Sequence, residues 1–210
     1  MVQKDYILRM IEELGAFLSA IILNKKIQNY DFALEKIEEA YNGLLFLGSD
    51  KVKYLDFDEI IKNNTFGDIL NKDNIEIIAT LLFEEADIIE KINGNNLISL
   101  DYFQKSFMLF NRITEQNNSK KYFEKINEIT IKLNNYEPTN EVIFLMYKYF
   151  EMNGLYGKAE DKLYELMENK YPNIKNEIKL YYNKLLEKCD EELEEGNLPR
   201  NEILEEMKNI

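Results

Sequence analysis

The chain has no histidine and no tryptophan, and only one cysteine, three prolines and eight glycines among its 210 residues. Each scarcity excludes something. Without histidine there is no ordinary general base near neutral pH, no usual zinc or iron ligand, and no Ser-His or Cys-His nucleophile pair. The Glu-x-x-His pairs of di-iron bundles cannot be built either. Many acid pairs are present, but a paired-carboxylate glycosidase would lack a tryptophan sugar platform. A lone Cys189 cannot close an internal disulfide, which fits a reducing compartment, so cytoplasm is the expected location. Basic runs are also missing: Lys25 with Lys26 and Lys120 with Lys121 are isolated pairs that read as solvated helix ends. The apolar run Leu14 to Leu23 is too short to span a bilayer and lacks the basic flank and cleavage site of a signal peptide. No glycine follows Met1, which excludes myristoylation.

What is present is helix-forming. Apolar residues make up 45% and charged residues 31%, which suits helices with one buried and one wet face. Long segments rich in Glu, Lys, Leu and Ile lie between the few breakers, and no stretch alternates convincingly with the period of a strand. The expected class is all-α. A formal net charge of −13 repels phosphate backbones and anionic headgroups, so neither nucleic acid nor a membrane surface is an expected partner. A basic or mixed-charge protein or peptide is the complementary choice.

Along the chain, residues 3–24 predict a first helix whose apolar face widens after Leu14 until the second half requires cover. Residues 29–47 predict its antiparallel neighbour, with Ala33, Ile37 and Ala40 on one face. In the less regular stretch 48–72, Asp56 with Glu59 reads as a capping pair. A second hairpin is expected over 74–92 and 98–116, turning on Asn93-Gly94-Asn95-Asn96. Helices over 119–134, 139–152, 173–195 and 199–208 follow, with Pro138, Pro172 and Pro199 where helices begin. The expectation is one domain over 1–210, made of a hairpin (3–47), a connecting insert (48–72), a hairpin (74–116) and further helices (119–208).

The stretch Asn153 to Pro172 is the most specific. Gly154 suits the positive φ of an inter-helix turn, and Tyr156, Ala159, Leu163 and Leu166 recur along one helical face. With Phe150 before the turn and the small Ala159 where two helices would cross, this segment resembles a tetratricopeptide hairpin. Tyr147 and Leu166 replace the glycine and alanine of that consensus. Looser echoes begin at Tyr30 and Tyr102, at spacings far from the regular repeat of about 34 residues. The resemblance therefore implies an irregular tetratricopeptide-like stack of antiparallel hairpins. The opening Gln-Lys-Asp-Tyr-Ile-Leu-Arg-Met-Ile-Glu, with Tyr156-Gly-Lys-Ala-Glu-Asp and Gly196-Asn-Leu-Pro-Arg, also resembles an uncharacterised bacterial family of small helical proteins. That likeness implies no activity and transfers no active residue.

Candidate chemistry reads mostly as structure. Glu84, Glu85 and Asp87 would hold a divalent cation only if another helix supplied facing oxygens, and they read instead as a solvated face. Asp56-Phe57-Asp58-Glu59 lacks the glycine and spacing of a calcium loop. Gly154-Leu-Tyr-Gly157-Lys158 has two residues between its glycines where a phosphate loop needs four. Cys189 reads as an inert, partly buried thiol. No catalytic, cofactor-binding or metal residue is assigned, and no cofactor is expected. Two groups suggest partner-facing surface. Asp5, Arg9 and Glu13 make a charge ladder on the first helix, whose bland reading is a row of exposed ion pairs, and whose sharper reading sets Arg9, with Tyr6 and Glu13, on a partner-facing surface. Tyr147, Lys148 and Glu151 would line the inner side of a curved stack, although core packing is the commoner use of such a tyrosine.

The leading expectation is a non-enzymatic adaptor docking a peptide or protein segment in a groove between hairpins. One alternative is an enzyme acting on a small molecule or through carboxylate-held metal. Another is a structural protein that self-associates through the first helix.

Overall fold

A computed structural model describes residues 2–45, 49–115 and 120–209, with side chains described over 12–45, 51–114 and 121–209. The protein is all-α, and strands among the described residues amount to one antiparallel pair, Thr65–Phe66 with Ile69–Leu70. The stretch read as one domain packs as two compact units, residues 1–137 and 138–210.

The first unit opens with α1 (Val2–Lys26) and α2 (Tyr30–Leu45), an antiparallel hairpin. Asn29 closes the turn, its backbone N–H donating to the Asn24 carbonyl at 2.9 Å and its side-chain amide to Asn24 Oδ1 at 3.2 Å. Ala33, Ile37, Ala40, Tyr41 and Leu44 form the buried face of α2. The cover required for the end of α1 is partial: Ile21 is fully buried, while Ile22 and Leu23 remain exposed. Two short helices follow, α3 (Ser49–Tyr54) and α4 (Phe57–Asn63). The second is held by the expected Asp56 and Glu59 capping box, which satisfies donors that a helix start otherwise leaves open.

Next come α5 (Lys72–Asn93), α6 (Leu97–Glu115), a 3₁₀ turn (Lys120–Tyr122) and α7 (Phe123–Leu133). Asn71 caps α5 and Asn96 caps α6, the latter accepting from the N–H groups of Ile98 and Ser99, both at 3.0 Å. Gly94 between the two helices has φ +68°, a backbone region costly for other residues. The middle of α5 is enclosed, since α6, α2 and α1 all pack on it and α7 lies against α6. Ile75, Ile78, Leu82 and Ala86 mark one buried stripe, and Ile77, Leu81, Phe83 and Ile88 extend burial around the helix. A helix apolar on all sides must be surrounded, and any charge within that stretch is carried inside with it.

The second unit comprises α8 (Asn140–Met152), α9 (Tyr156–Glu168), α10 (Ile174–Leu186), α11 (Asp190–Glu195) and α12 (Arg200–Glu206). Thr139 caps α8, Gly154 turns at φ +72°, and Tyr156, Ala159, Leu163 and Leu166 form the buried face of α9. The single helix expected over 173–195 is instead broken after Leu186. Arg200 explains the break, because its guanidinium donates to the carbonyls of Leu186 (2.9 Å) and Lys188 while Nε meets Asp190 Oδ1 at 2.5 Å. These contacts take up carbonyls that a helix end leaves without partners. Cys189 sits at the break as the N-cap residue of α11 and is exposed, not partly buried.

Residues 196–197 lie directly on the start of α9. The Gly157 N–H donates to the Gly196 carbonyl at 2.9 Å, and a Cβ at Gly157 would approach the Asn197 carbonyl oxygen to 2.6 Å. A methyl group there must push backbone against backbone. Gly157→Ala should lower the stability of the second unit by about 1–3 kcal/mol. Gly15→Ala, with nothing within 4 Å of the added carbon, should raise stability by roughly 0.8–1 kcal/mol through helix propensity alone. Denaturant midpoints of the two variants check both signs.

Candidate functional site

The chemistry of the first unit concentrates where α5 is most enclosed. Glu84, Glu85 and Asp87 are only 5–6% exposed, which overturns their reading as a solvated face. Lysines from several elements meet them. Lys25 of α1 reaches Glu84 Oε2 at 2.5 Å and Asp87 Oδ2 at 2.7 Å. Lys53 of α3 bonds Glu85 Oε1 at 2.8 Å. Lys132 of α7 reaches Asp87 Oδ1 at 2.6 Å and also bonds Glu90, while Lys125 lies 3.6 Å from Glu84. Lys91 on the next turn of α5 adds a contact to Asp87 at 2.7 Å. The pairing of Lys25 also replaces its reading as a solvated helix end, since its side chain is only 12% exposed.

The electrostatics follow from geometry. Burial alone would raise the Asp87 carboxyl and lower the lysines. For Asp87, hydrogen bonds from Lys132, Lys25 and Lys91 overcome burial and hold the carboxyl well below the usual carboxylate range. Lys25 and Lys132 are held above their ordinary value because their carboxylate partners outweigh their burial. Glu85 goes the other way: burial raises it more than Lys53 lowers it. Among the described residues, Glu85 Oε2 and the fully buried Tyr41 hydroxyl have no hydrogen-bond partner. Burial also pushes Tyr102, which senses Glu85, up to about 12.

The polar interior of the second unit is made of tyrosines and carboxylates. Tyr182 donates to Glu160 at 2.5 Å, Tyr164 donates to Glu206 at 2.7 Å, and the two hydroxyls lie 3.3 Å apart. Burial raises the Glu160 carboxyl against the Tyr182 hydrogen bond, and the like charges of Glu202, Glu206 and Asp161 raise it further.

The sequence-derived site residues divide sharply. The side chains of Tyr6 and Arg9 lie outside the described residues, and Glu13 is exposed on α1. Tyr147, Lys148 and Glu151 do come together, but they turn toward α10. The Tyr147 ring is buried edge-on against Tyr181, with centroids 5.5 Å apart, and its hydroxyl donates to Glu177 at 3.2 Å. Lys148 bonds Glu177 at 2.7 Å and lies 4.4 Å from the Tyr147 ring centroid. Glu151 accepts from Lys184 at 2.7 Å. Burial first, then Glu151 and Glu177, raises the Tyr147 hydroxyl far above the ordinary phenol range. This trio joins α8 to α10.

Among the described residues, no group of three or more Cys, Asp or Glu side chains is arranged to hold a metal ion, and no helix is long and apolar enough to cross a membrane. Residues 61–210 match a family described as "Family of unknown function (DUF6483)". The chain belongs to this family. No curated protein and no solved structure matches it. The family region contains α5 with its three buried acids and the lysines Lys125 and Lys132 of α7, whereas Lys25 and Lys53 precede it.

Charge substitutions separate the two polar interiors. Asp87→Asn leaves Lys25, Lys91 and Lys132 without their shared carboxylate and should cost roughly 3 kcal/mol at neutral pH. A lowered folded pKa gives stability that is full above the unfolded value and is lost as pH falls through the folded one. The gap to wild type should therefore close as pH drops below the ordinary carboxylate value of 3.8, as read from denaturation midpoints. Glu160 is raised, so ionising it on the way up from acid pH costs stability. Glu160→Gln should stabilise the protein at pH 7 and converge with wild type below the ordinary value of 4.5, measured in the same way.

Proposed function

We propose that this protein is a non-enzymatic helical binding module, cytoplasmic in setting, that docks a basic protein or peptide segment. In this reading α8 and α9 form a tetratricopeptide-type hairpin, with Gly154 at the turn and Ala159 at the crossing. The observation that carries the proposal is the distribution of charge. Lysines are drawn inward to neutralise α5, and acids dominate the outside of the last two helices. Five of the six residues of α11 are acidic and exposed, and α12 adds exposed Glu202 and Glu205 beside it. Of the bases in this stretch, Arg200 is engaged by Asp190 and two carbonyls, and Lys188 by Glu192 at 3.0 Å. Such a field speeds encounter with cationic partners and disfavours anionic ones.

The reading is tested by titrating the intact protein with lysine-rich and glutamate-rich peptides of equal length and following binding by calorimetry. The lysine-rich peptide should bind and lose affinity as salt rises past the screening range. Substituting Glu191, Glu194 and Glu195 by Gln should weaken that binding about tenfold or more, without moving the thermal midpoint, if a few charge pairs of roughly 0.5 kcal/mol each are lost. Equal affinity for both peptides, or binding indifferent to salt and to these substitutions, would sink the proposal.

A further inference from the structure

Lys53 of α3, a helix of only six residues, places its ammonium in a cage built by its neighbours. Its ammonium bonds Glu38 Oε1 of α2 and, at 2.8 Å, Glu85 Oε1 of α5, and it lies 5.7 Å from the centroid of the Tyr41 ring. Carboxylates and an aromatic face are the standard surroundings of a bound ammonium. The Lys53 carbonyl is held in turn by Lys105 Nζ of α6 at 3.0 Å, and Val52 is buried beside it.

The cage offers more than Lys53 uses. Among the described residues, Glu85 Oε2 and the Tyr41 hydroxyl both lack hydrogen-bond partners, although a buried polar atom left unpaired is destabilising. A side chain rooted on α3 places its ammonium only where a four-carbon stem allows, and that position serves one oxygen of each carboxylate. An untethered amine is free of that constraint. Glu38 is the more open of the two acids, its side chain 41% exposed where that of Glu85 is 7% exposed.

We propose that Glu38, Tyr41 and Glu85 form a binding site for a protonated, unbranched primary amine, that Lys53 occupies it as a built-in pseudo-ligand, and that an incoming amine takes the site by displacing Lys53. Two acids and an aromatic face select positive charge, and a space shaped to a lysine stem selects a slim aliphatic ammonium over a branched or quaternary one. Burial of Glu85, and of Tyr41 beside it, raises both groups, and a better-seated cation would relieve this strain on the carboxylate. The site is built from residues of the first unit alone and does not rest on the binding-module reading.

Removal of the pseudo-ligand is the test. The Lys53→Ala variant is followed by circular dichroism on heating, with n-butylammonium chloride as the probe and equimolar sodium and tetramethylammonium chlorides as controls. The variant should melt below wild type and recover several degrees in tens of millimolar butylammonium, with neither control matching it and with a smaller rise in wild type. If Lys53→Ala is unfolded on its own, the readout is the return of helical signal when the amine is added. The Lys53→Ala/Glu85→Gln protein should lose the specific recovery. Nα-acetyl-lysine amide, run alongside, separates the sources: recovery with butylammonium alone assigns small amines, and recovery with both extends the site to a peptide-borne lysine. Recovery no greater than the controls, or undiminished by Glu85→Gln, overturns the proposal.

Discussion

The first unit depends on matching lysines to carboxylates inside the packing of α5. Aliphatic stripes supply most of the drive to bury this helix, but they fix its axial position weakly, because one turn of about 5.4 Å brings a similar stripe back into place. Charges are less forgiving. Glu84, Glu85 and Asp87 are each seated against lysines borne by other helices, from α1, α3 and α7. A slip of one turn would strand all three in a medium where an unpaired ion costs several kcal/mol. The network therefore contributes mostly to the uniqueness of the arrangement, and replacement by apolar residues of similar shape would match it in stability.

The second unit solves the same problem with tyrosines. A phenol brings a large apolar surface and one hydroxyl, so it can fill a core and still serve a carboxylate at the edge. Tyr147, Tyr181 and Tyr182 are all fully buried, and each donates a hydrogen bond: Tyr147 to Glu177, Tyr181 to the Tyr156 carbonyl, and Tyr182 to Glu160. The two interiors answer acid in opposite senses, since Asp87 is lowered by its lysines while Glu160 is raised by burial and by its acidic neighbours.

Much of the fold was legible from local rules. The face of α2 around Ala33 and Ile37, the Asp56 and Glu59 box, Gly154 at its turn and the prolines at helix starts all express constraints that act within a few residues. The polar interior was not, because whether a carboxylate is buried depends on lysines as distant as Lys25, 59 residues from Glu84. One signal was available: between Ile77 and Ile88 apolar residues point in every direction around α5, so the acids among them had no wet face to occupy. The end of α10 was hidden for a related reason, as Arg200 acts on Leu186 from 14 residues further along. Tyr147 looked like contact surface by its position on a hairpin helix, and the packing of Tyr181 against it decided otherwise.

The break that Arg200 stabilises leaves Cys189 exposed at the head of α11, and it is the sole thiol in the chain. A maleimide fluorophore or spin label would therefore attach at one defined point beside the acidic helices without any engineered residue. The native sequence thus comes equipped with its own reporter position.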